Sequence, residues 1–375
     1  MIPVNTPLLD GNEKKYLIEC VETGWISSEG PFVQRFEEEM AVFSQRKHGI
    51  AVCNGTAALE IAVRAVGIGP GDEVILPTFT IISPAQAISK LGAKPVLVDS
   101  DPASWNMNVS QIEAKITAKT KAILVVHIYG LPVDMDPVLA LCEKYQLKLI
   151  EDAAEMHGQT YKGKPCGSFG DVSIFSFYPN KHITTGEGGM VVTNDDEIAE
   201  KCRSYRNLCF KPEQRFVHDE IGWNYRMTNI QAALGVAQLE RITAFVEKKH
   251  WIGRAYSSLL SDLSEHLILP PASTNYSDNI YWVFGLILKD HVRINAKEMM
   301  AELGKAGIGC RPFFYPMHLQ PVYRKLGWYT DESYPVAENM AERGFYIPSG
   351  LALTEHEIYT VVETLKTVLN RYIIP

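Results

Sequence analysis

The chain has 375 residues, 46% hydrophobic and 21% charged, which is enough to bury a sizeable core in two domains or in one large domain with a smaller one attached. Its net charge of −8, with basic residues scattered rather than clustered, excludes the electrostatic footprint of a nucleic-acid binder. Seven cysteines without a C-x-x-C pair and ten histidines without ligand spacing argue against a disulfide framework and against a bound metal. No apolar run reaches the length of a membrane span, and Met1-Ile-Pro-Val-Asn-Thr-Pro7 has no charged leader before an apolar segment. A cytoplasmic location with no membrane partner is therefore expected.

Helical periodicity covers Glu13 to Thr23 and Val33 to Phe43. Between them Gly24-Trp-Ile-Ser-Ser-Glu-Gly-Pro31 reads as a loop carrying an aromatic ring and hydroxyls, the kind of place where binding groups sit. Apolar runs at 50–53, 73–77, 95–98, 122–127, 147–151, 171–177 and 189–193 read as seven strands. Most are separated by helical patterns, at Ala57 to Val66, Pro84 to Leu91, Val109 to Ile116 and Pro137 to Tyr145. Such alternation predicts an α/β domain whose mainly parallel sheet is covered on both faces. Only 11 residues separate Phe177 from Gly189, too few for a parallel crossover, so one of those two strands is expected to run antiparallel.

Beyond Asn194 a helix is expected over Asp195 to Leu208, then a polar loop containing Lys211-Pro-Glu-Gln-Arg215. A further helix begins near Thr228, runs through Leu239 and continues into residues 240–260. Past Pro270-Pro271 come a strand (Tyr281 to Leu288), a helix (Ala296 to Ala306), a strand near Ile308 to Phe314 and a terminal helix (Glu355 to Asn370). The expected division is a large domain over residues 1–250 and a smaller C-terminal α/β domain over 251–375.

In an open parallel sheet, ligands bind beyond the carboxyl ends of the strands, so the residues just after each strand are the informative ones. Cys53-Asn-Gly-Thr-Ala57 is a glycine-hydroxyl turn opening a helix; it reads either as an N-cap or as an anion site suited to a phosphate. Its spacing is neither G-x-G-x-x-G nor a P-loop. Leu149-Ile-Glu-Asp-Ala-Ala-Glu155 ends an apolar strand on carboxylates, where Asp152 either caps the turn or meets a cationic partner. Side-chain alternation favours Asp152 over Glu151 for the partner role. Phe175-Ser-Phe-Tyr-Pro-Asn-Lys181 ends the next strand, and Lys181 reads either as a solvated lysine or as an amine made nucleophilic by burial. A phosphate cradle, a carboxylate and a reactive lysine on one sheet edge meet the needs of pyridoxal phosphate.

These segments, with Trp25-Ile-Ser-Ser-Glu-Gly30, Gly69-Pro-Gly-Asp-Glu-Val-Ile-Leu-Pro-Thr78, Val126-His-Ile-Tyr-Gly130, Thr184-Thr-Gly-Glu-Gly-Gly189, Asn224-Tyr-Arg-Met-Thr-Asn229 and Cys310-Arg-Pro-Phe-Phe-Tyr-Pro-Met-His318, carry a resemblance over nearly the whole chain. The sequence resembles the sugar-nucleotide aminotransferases of the DegT family, which are fold type I enzymes dependent on pyridoxal phosphate. The resemblance implies that Lys181 is the Schiff-base lysine and Asp152 the partner of the pyridine nitrogen. It places Glu155 near the ring hydroxyl and gives the phosphate to Gly55, Thr56, Ala57 and Ser176. Asn224 would reach the cofactor phosphate of a neighbouring subunit, which implies a homodimer with shared active sites. Ile81 stands where relatives often carry an aromatic ring stacked on the cofactor, and an aliphatic side chain covers a ring with weaker geometric preference.

The implied reaction moves an amino group from L-glutamate to a nucleotide-linked ketosugar, expected at C4 of a GDP-linked 4-keto-6-deoxy sugar. Trp25 and Ser27 would contact the sugar and Arg311 the diphosphate, through its bidentate fork. Phe313 and His318 read either as further substrate contacts or as packing between domains. Three alternatives stay open at this point: a UDP- or dTDP-linked substrate, a pyridoxamine-dependent sugar dehydratase, and a non-catalytic regulatory relative. Retention of Lys181, where the dehydratase branch has histidine, favours amino transfer.

Overall fold

The fold was determined as a computed structural model, which describes residues 1–211 and 213–373. Pro212 of the expected polar loop and the last two residues of the expected small domain lie outside the described residues.

Two helices lead in: α1 (Glu13–Thr23) and α2 (Pro31–Phe43), the second opened by a proline whose missing N–H costs nothing in a first turn. The large sheet is then laid down by β1 (His48–Val52), α3 (Gly55–Ala65), β2 (Glu73–Pro77), α4 (Ser83–Lys90), β3 (Lys94–Val98), β4 (Thr120–Val126), α5 (Met135–Tyr145) and β5 (Lys148–Asp152). After a small hairpin of β6 (Thr160–Tyr161) and β7 (Lys164–Pro165), it is completed by β8 (Val172–Ser176) and β9 (Gly189–Thr193). The order is β1-β9-β8-β5-β4-β2-β3. β9 is antiparallel to both β8 and β1, and the other pairings in the sheet are parallel. The short connection between Phe177 and Gly189 therefore reverses the chain, as its length requires.

Alternation along each strand feeds two cores. On β4, Ala122, Leu124 and Val126 pack toward α3 and α4, while Ile123 and Val125 pack toward α5. Each branched side chain buried this way contributes about 1.5–3 kcal/mol, which is why a sheet covered on both faces reads as continuous apolar runs.

Next come α6 (Asp196–Arg206), α7 (Asn229–Leu239) and α8 (Ile242–Leu259). Thr228 caps α7 in a reciprocal box with Gln231, so the sequence places this start correctly. The single long helix expected from residue 228 onward is two helices, because the chain turns at Glu240 and Arg241. The expected domain boundary at 250/251 falls inside α8. A four-stranded antiparallel sheet follows, built from β10 (Leu267–Ile268), β11 (Phe284–Leu288), β12 (Arg311–Pro312) and β13 (Gly344–Ile347) in the order β10-β11-β13-β12. Its helices are α9 (Ala296–Lys305), α10 (Pro321–Lys325), α11 (Pro335–Arg343) and α12 (Glu355–Leu369). The sheet and the second half of α8 form a core of their own, with Tyr256, Phe284 and Phe345 fully buried.

Three sequence expectations change here. The Val109–Ile116 pattern gives two short 3₁₀ turns (Val109–Gln111 and Glu113–Lys115) instead of an α-helix. The strand expected at Ile308–Phe314 shrinks to Arg311–Pro312, and the strand expected from Tyr281 begins at Phe284 because Tyr281 takes a left-handed backbone (φ 49°). β13, only four residues long, offers too little periodicity to be seen in sequence, yet it pairs with both β11 and β12.

Candidate active site

The strands deliver their ends to one cavity of about 620 Å³, lined among others by Gly55, Thr56, Ala57, Ile81, Asp152, Glu155, Ser176 and Lys181. Eight of the sequence-identified residues, from four separate segments, are thus brought together.

Lys181 sits in the turn after β8, its own N–H donating to the Tyr178 carbonyl, with its side chain 11% exposed. Its Nζ lies 3.8 Å from Glu155 Oε1 and 3.9 Å from the centre of the Trp282 ring. Burial lowers its pKa, opposed by the negative charge of Glu155 and Asp152. The neutral amine, the nucleophilic form, is favoured accordingly.

Asp152 ends β5 opposite Ile174 of β8 and is 2% exposed. Burial pushes its pKa up to about 6, against a hydrogen bond from the Ala154 N–H and the field of Lys181. Glu155, one turn later, is also buried; it accepts the Tyr129 N–H at 2.7 Å, and burial raises its pKa to about 8. Two carboxyl groups and one amine share a desolvated site, so burial disfavours the charged form of each.

The far end of the cavity is the start of α3. Asn54 caps it by accepting the Ala57 N–H at 2.8 Å, and the helix's first residues, Gly55 and Thr56, line the cavity, where first-turn N–H groups have no intrahelical acceptor. A side chain at residue 55 would come within 2.8 Å of Ser176 Cβ, so only glycine lets the helix start and the end of β8 meet. Thr56 Oγ1 and Ser83 Oγ are 2.9 Å apart, and the Thr80 hydroxyl is buried without a partner. Hydroxyls and a helix N-terminus at one end, with a carboxylate and an amine at the other, fit the phosphate, ring nitrogen and aldehyde carbon of pyridoxal phosphate. Ile81, half exposed, covers the cavity between them.

The remaining expected site residues lie elsewhere. Asn224 is exposed outside the cavity, accepting a bond from Arg226 Nε at 2.9 Å. Trp25 and Ser27 are exposed on the loop before α2, with Trp25 in a separate cleft. Arg311 lines a smaller cleft of about 200 Å³ that adjoins the main cavity through Tyr178, Asn180, Trp282 and Tyr346. Phe313 and His318 need correction as substrate contacts. Phe313 is buried against Trp105, Tyr129 and Phe79, with ring centres 5.5, 4.8 and 5.9 Å away. The cavity wall is instead Phe314, because successive residues point to opposite sides. His318 is fully buried, with Nδ1 2.8 Å from Thr78 Oγ1 and Nε2 3.0 Å from Glu338 Oε1.

Sequence reasoning missed Ser83, Tyr178, Trp282, Phe314 and Tyr346, all lining the cavity. Ser83 opens α4 next to a proline, a signal that could have been read; Trp282 and Tyr346 arrive from the C-terminal sheet with no local sign. Among the described residues one buried trio of metal-type donors exists, His127, Glu151 and Cys166. It is a hydrogen-bonding knot: His127 accepts the Val133 N–H and faces Glu151 at 3.0 Å, while Glu151 accepts from Gly167 and Phe169.

Residues 7–366 match the DegT/DnrJ/EryC1/StrS aminotransferase family. The chain is 44% identical to the GDP-perosamine synthase of Caulobacter vibrioides, over 98% of both chains. It superposes on an aminotransferase from Psychrobacter cryohalolentis with a TM-score of 0.91, 30% identity and 98% coverage of both chains. A Streptococcus pneumoniae protein solved in its PLP form matches with a TM-score of 0.92 and 26% identity over 100% of both chains. The chain belongs to the DegT/DnrJ/EryC1/StrS aminotransferase family: it has the α/β architecture of fold type I and is a pyridoxal-phosphate-dependent sugar aminotransferase.

Proposed function

We propose that this enzyme transfers the amino group of L-glutamate to the C4 ketone of GDP-4-keto-6-deoxy-D-mannose, forming GDP-perosamine. The observation that carries the reading is the pairing of Lys181 Nζ with Glu155 at 3.8 Å beside Asp152, in a chain 44% identical to a GDP-perosamine synthase. Pyridoxal phosphate, when bound, supplies an electron-accepting ring that stabilises negative charge on the carbon being aminated or deaminated.

The chain's own residues divide the remaining work. Gly55 and Thr56, with Ala57 and Ser176 beside them, would hold the phosphate, Asp152 would keep the ring nitrogen protonated, and Glu155 would sit near the ring hydroxyl. Ile81 would shield the site from water. Lys181 would hold the cofactor, and its amine, kept near Glu155, would serve as the base and acid for the proton transfer. The raised pKa of Glu155 suits a group that holds a proton close to neutral pH. Arg311 would meet the diphosphate, since its cleft opens from the cavity, and Trp25 and Ser27 would meet the sugar only if supplied by a second copy.

Asn224 stands outside its own cavity, on a loop whose Phe216 and Ile221 are more than four-fifths exposed, which supports a homodimer in which each copy completes its partner's site. The separate core around Tyr256 and Phe345 supports a smaller C-terminal domain beginning near residue 251. No helix among the described residues is long and apolar enough to cross a membrane, in keeping with a cytoplasmic enzyme. A dehydratase reading is disfavoured because His182, adjacent to Lys181, is buried away from the cavity lining.

A panel of GDP-, UDP- and dTDP-linked ketosugars with L-glutamate, read by 2-oxoglutarate release, tests the assignment. Turnover on the GDP-linked ketone is expected. Turnover on UDP- or dTDP-linked ketones alone would overturn the substrate.

A further inference from the structure

Trp282 precedes β11 and is 4% exposed, yet three unrelated contacts converge on it. Its indole Nε1–H donates to the Asn180 carbonyl at 2.8 Å, in the turn that carries Lys181. The face of its ring lies 3.9 Å from Lys181 Nζ. Its own carbonyl accepts a hydrogen bond from Lys249 Nζ at 2.8 Å, and that same amine donates to the Ser349 carbonyl at 2.6 Å.

Lys249 is the odd member of this set. It is 3% exposed in the middle of α8, and both bonds found for its amine go to backbone carbonyls. Burial lowers its pKa to about 7. A buried lysine without a counter-charge is costly and does nothing for packing that a methionine would not do, so its value lies in the two carbonyls it ties together. The segment it anchors is shaped for one placement. Tyr281 holds a left-handed backbone (φ 49°), its ring fills the space that a side chain at Gly253 would take, and a side chain at Gly130 would collide with the Tyr281 and Trp282 amides.

We propose that Trp282 is a positioning residue for Lys181, and that Lys249 holds Trp282 in place from α8. The indole N–H fixes the backbone of the lysine turn, and the indole face and Glu155 both border the amine, at 3.9 and 3.8 Å. A lysine that is released from its cofactor and must re-form the bond needs its amine kept in place through the interval. Four methylenes give it ample freedom to leave. The titratable groups that feel this amine's charge include Glu155, Asp152, His157 and His182, and the Trp282 ring lies against it. The functional meaning of the proposal rests on the reading that Lys181 carries the cofactor.

Hydrogen exchange of the full-length protein tests it. In Trp282→Phe a smaller aromatic ring remains while the bond to Asn180 is lost. Amides of residues 178–186 should exchange about fivefold faster, while those of β4 stay unchanged. Lys249→Met, which touches neither Asn180 nor Lys181, should accelerate the same amides. In W282F kcat should fall with KM little changed, since the ring that faces substrate is retained. Wild-type exchange at 178–186 in W282F would overturn the proposal, and so would acceleration spread evenly over the chain. If K249M does not fold, W282F alone decides. Borohydride reduction of wild-type protein mixed with pyridoxal phosphate, followed by peptide mapping, tests the underlying reading separately. Modification of a lysine other than Lys181 would remove that reading without altering the exchange result.

Discussion

Asp152 and Glu151 are consecutive residues of β5 whose carboxylates serve opposite faces of the sheet. Asp152 lines the cavity that holds Lys181, whereas Glu151 is locked among His127, Gly167, Phe169 and Ser173 on the other side. Burial opposes the charge of Glu151, yet these bonds, led by that from His127, hold its pKa below the ordinary value. A buried carboxylate therefore faces the cavity at one position and an internal hydrogen-bond network at the next.

Substitution should separate the two roles. Asp152→Asn is expected to cut turnover by roughly 10²- to 10⁴-fold with little loss of stability. Glu151→Gln is expected to leave kcat near wild type and to lower stability by about 1–3 kcal/mol, since several donors lose an ionised acceptor. Steady-state kinetics and urea unfolding check the pair. Equal loss of activity in E151Q at full stability would contradict the assignment.

Glu155 gives stability a pH dependence whose sign is fixed by its burial. Its pKa rises on folding from its ordinary 4.5 to about 8, so the native state binds more protons than the unfolded state between those values. Stability attributable to this group is present below pH 4.5 and is lost as pH rises toward 8. Glu155→Gln in cofactor-free protein should match wild type in acid and become progressively more stable than wild type up to about pH 8. Lys249 acts oppositely, with a pKa lowered from 10.5 to about 7, so its unfavourable contribution fades as pH rises above 7. Urea midpoints measured across pH read both trends.

Ile81 covers the cavity with an aliphatic side chain that is 50% exposed. Replacing it with Phe or Tyr should allow ring stacking worth about 0.5–1.5 kcal/mol, a roughly two- to tenfold tighter hold on pyridoxal phosphate. Cofactor retained after dialysis, followed by absorbance, checks the direction. Weaker retention in Ile81→Phe would mean that residue 81 does not face the ring.

The proposed sharing of sites between two copies predicts complementation. Lys181→Ala removes the reactive amine, and Asn224→Ala removes the group expected to reach the partner's phosphate, so each variant alone should be impaired. A 1:1 mixture that has exchanged subunits should recover about a quarter of wild-type activity, because half of the dimers carry one intact site out of two. No recovery in demonstrably mixed dimers would place Asn224 outside the site.

Local chemistry accounts for what could be read in advance. Strand ends, the glycine turn at Gly55, the alternation that singled out Asp152 and the short reversal around Lys181 are all consequences of periodicity and turn preference within a few residues. The misreadings share one feature. Phe313 and Phe314 are indistinguishable as residue types, and only the packing of the C-terminal segment decides which one is core and which one is wall.

Sequence by itself determined the seven strands of a mainly parallel sheet, a reversal between Phe177 and Gly189, and the placing of Lys181, Asp152 and the Gly55 turn just after strands, because each depends on backbone periodicity and on residues adjacent in the chain. Tertiary structure alone decided what closes the site. Trp282 bonds to Asn180 across 102 residues of sequence, and Lys249 ties Trp282 to Ser349, contacts made where α8 joins one core through Phe245 and another through Ile252 and Tyr256. No local preference encodes such meetings. They follow from burial of apolar surface that brings distant segments together, after which the polar groups carried inward must find partners.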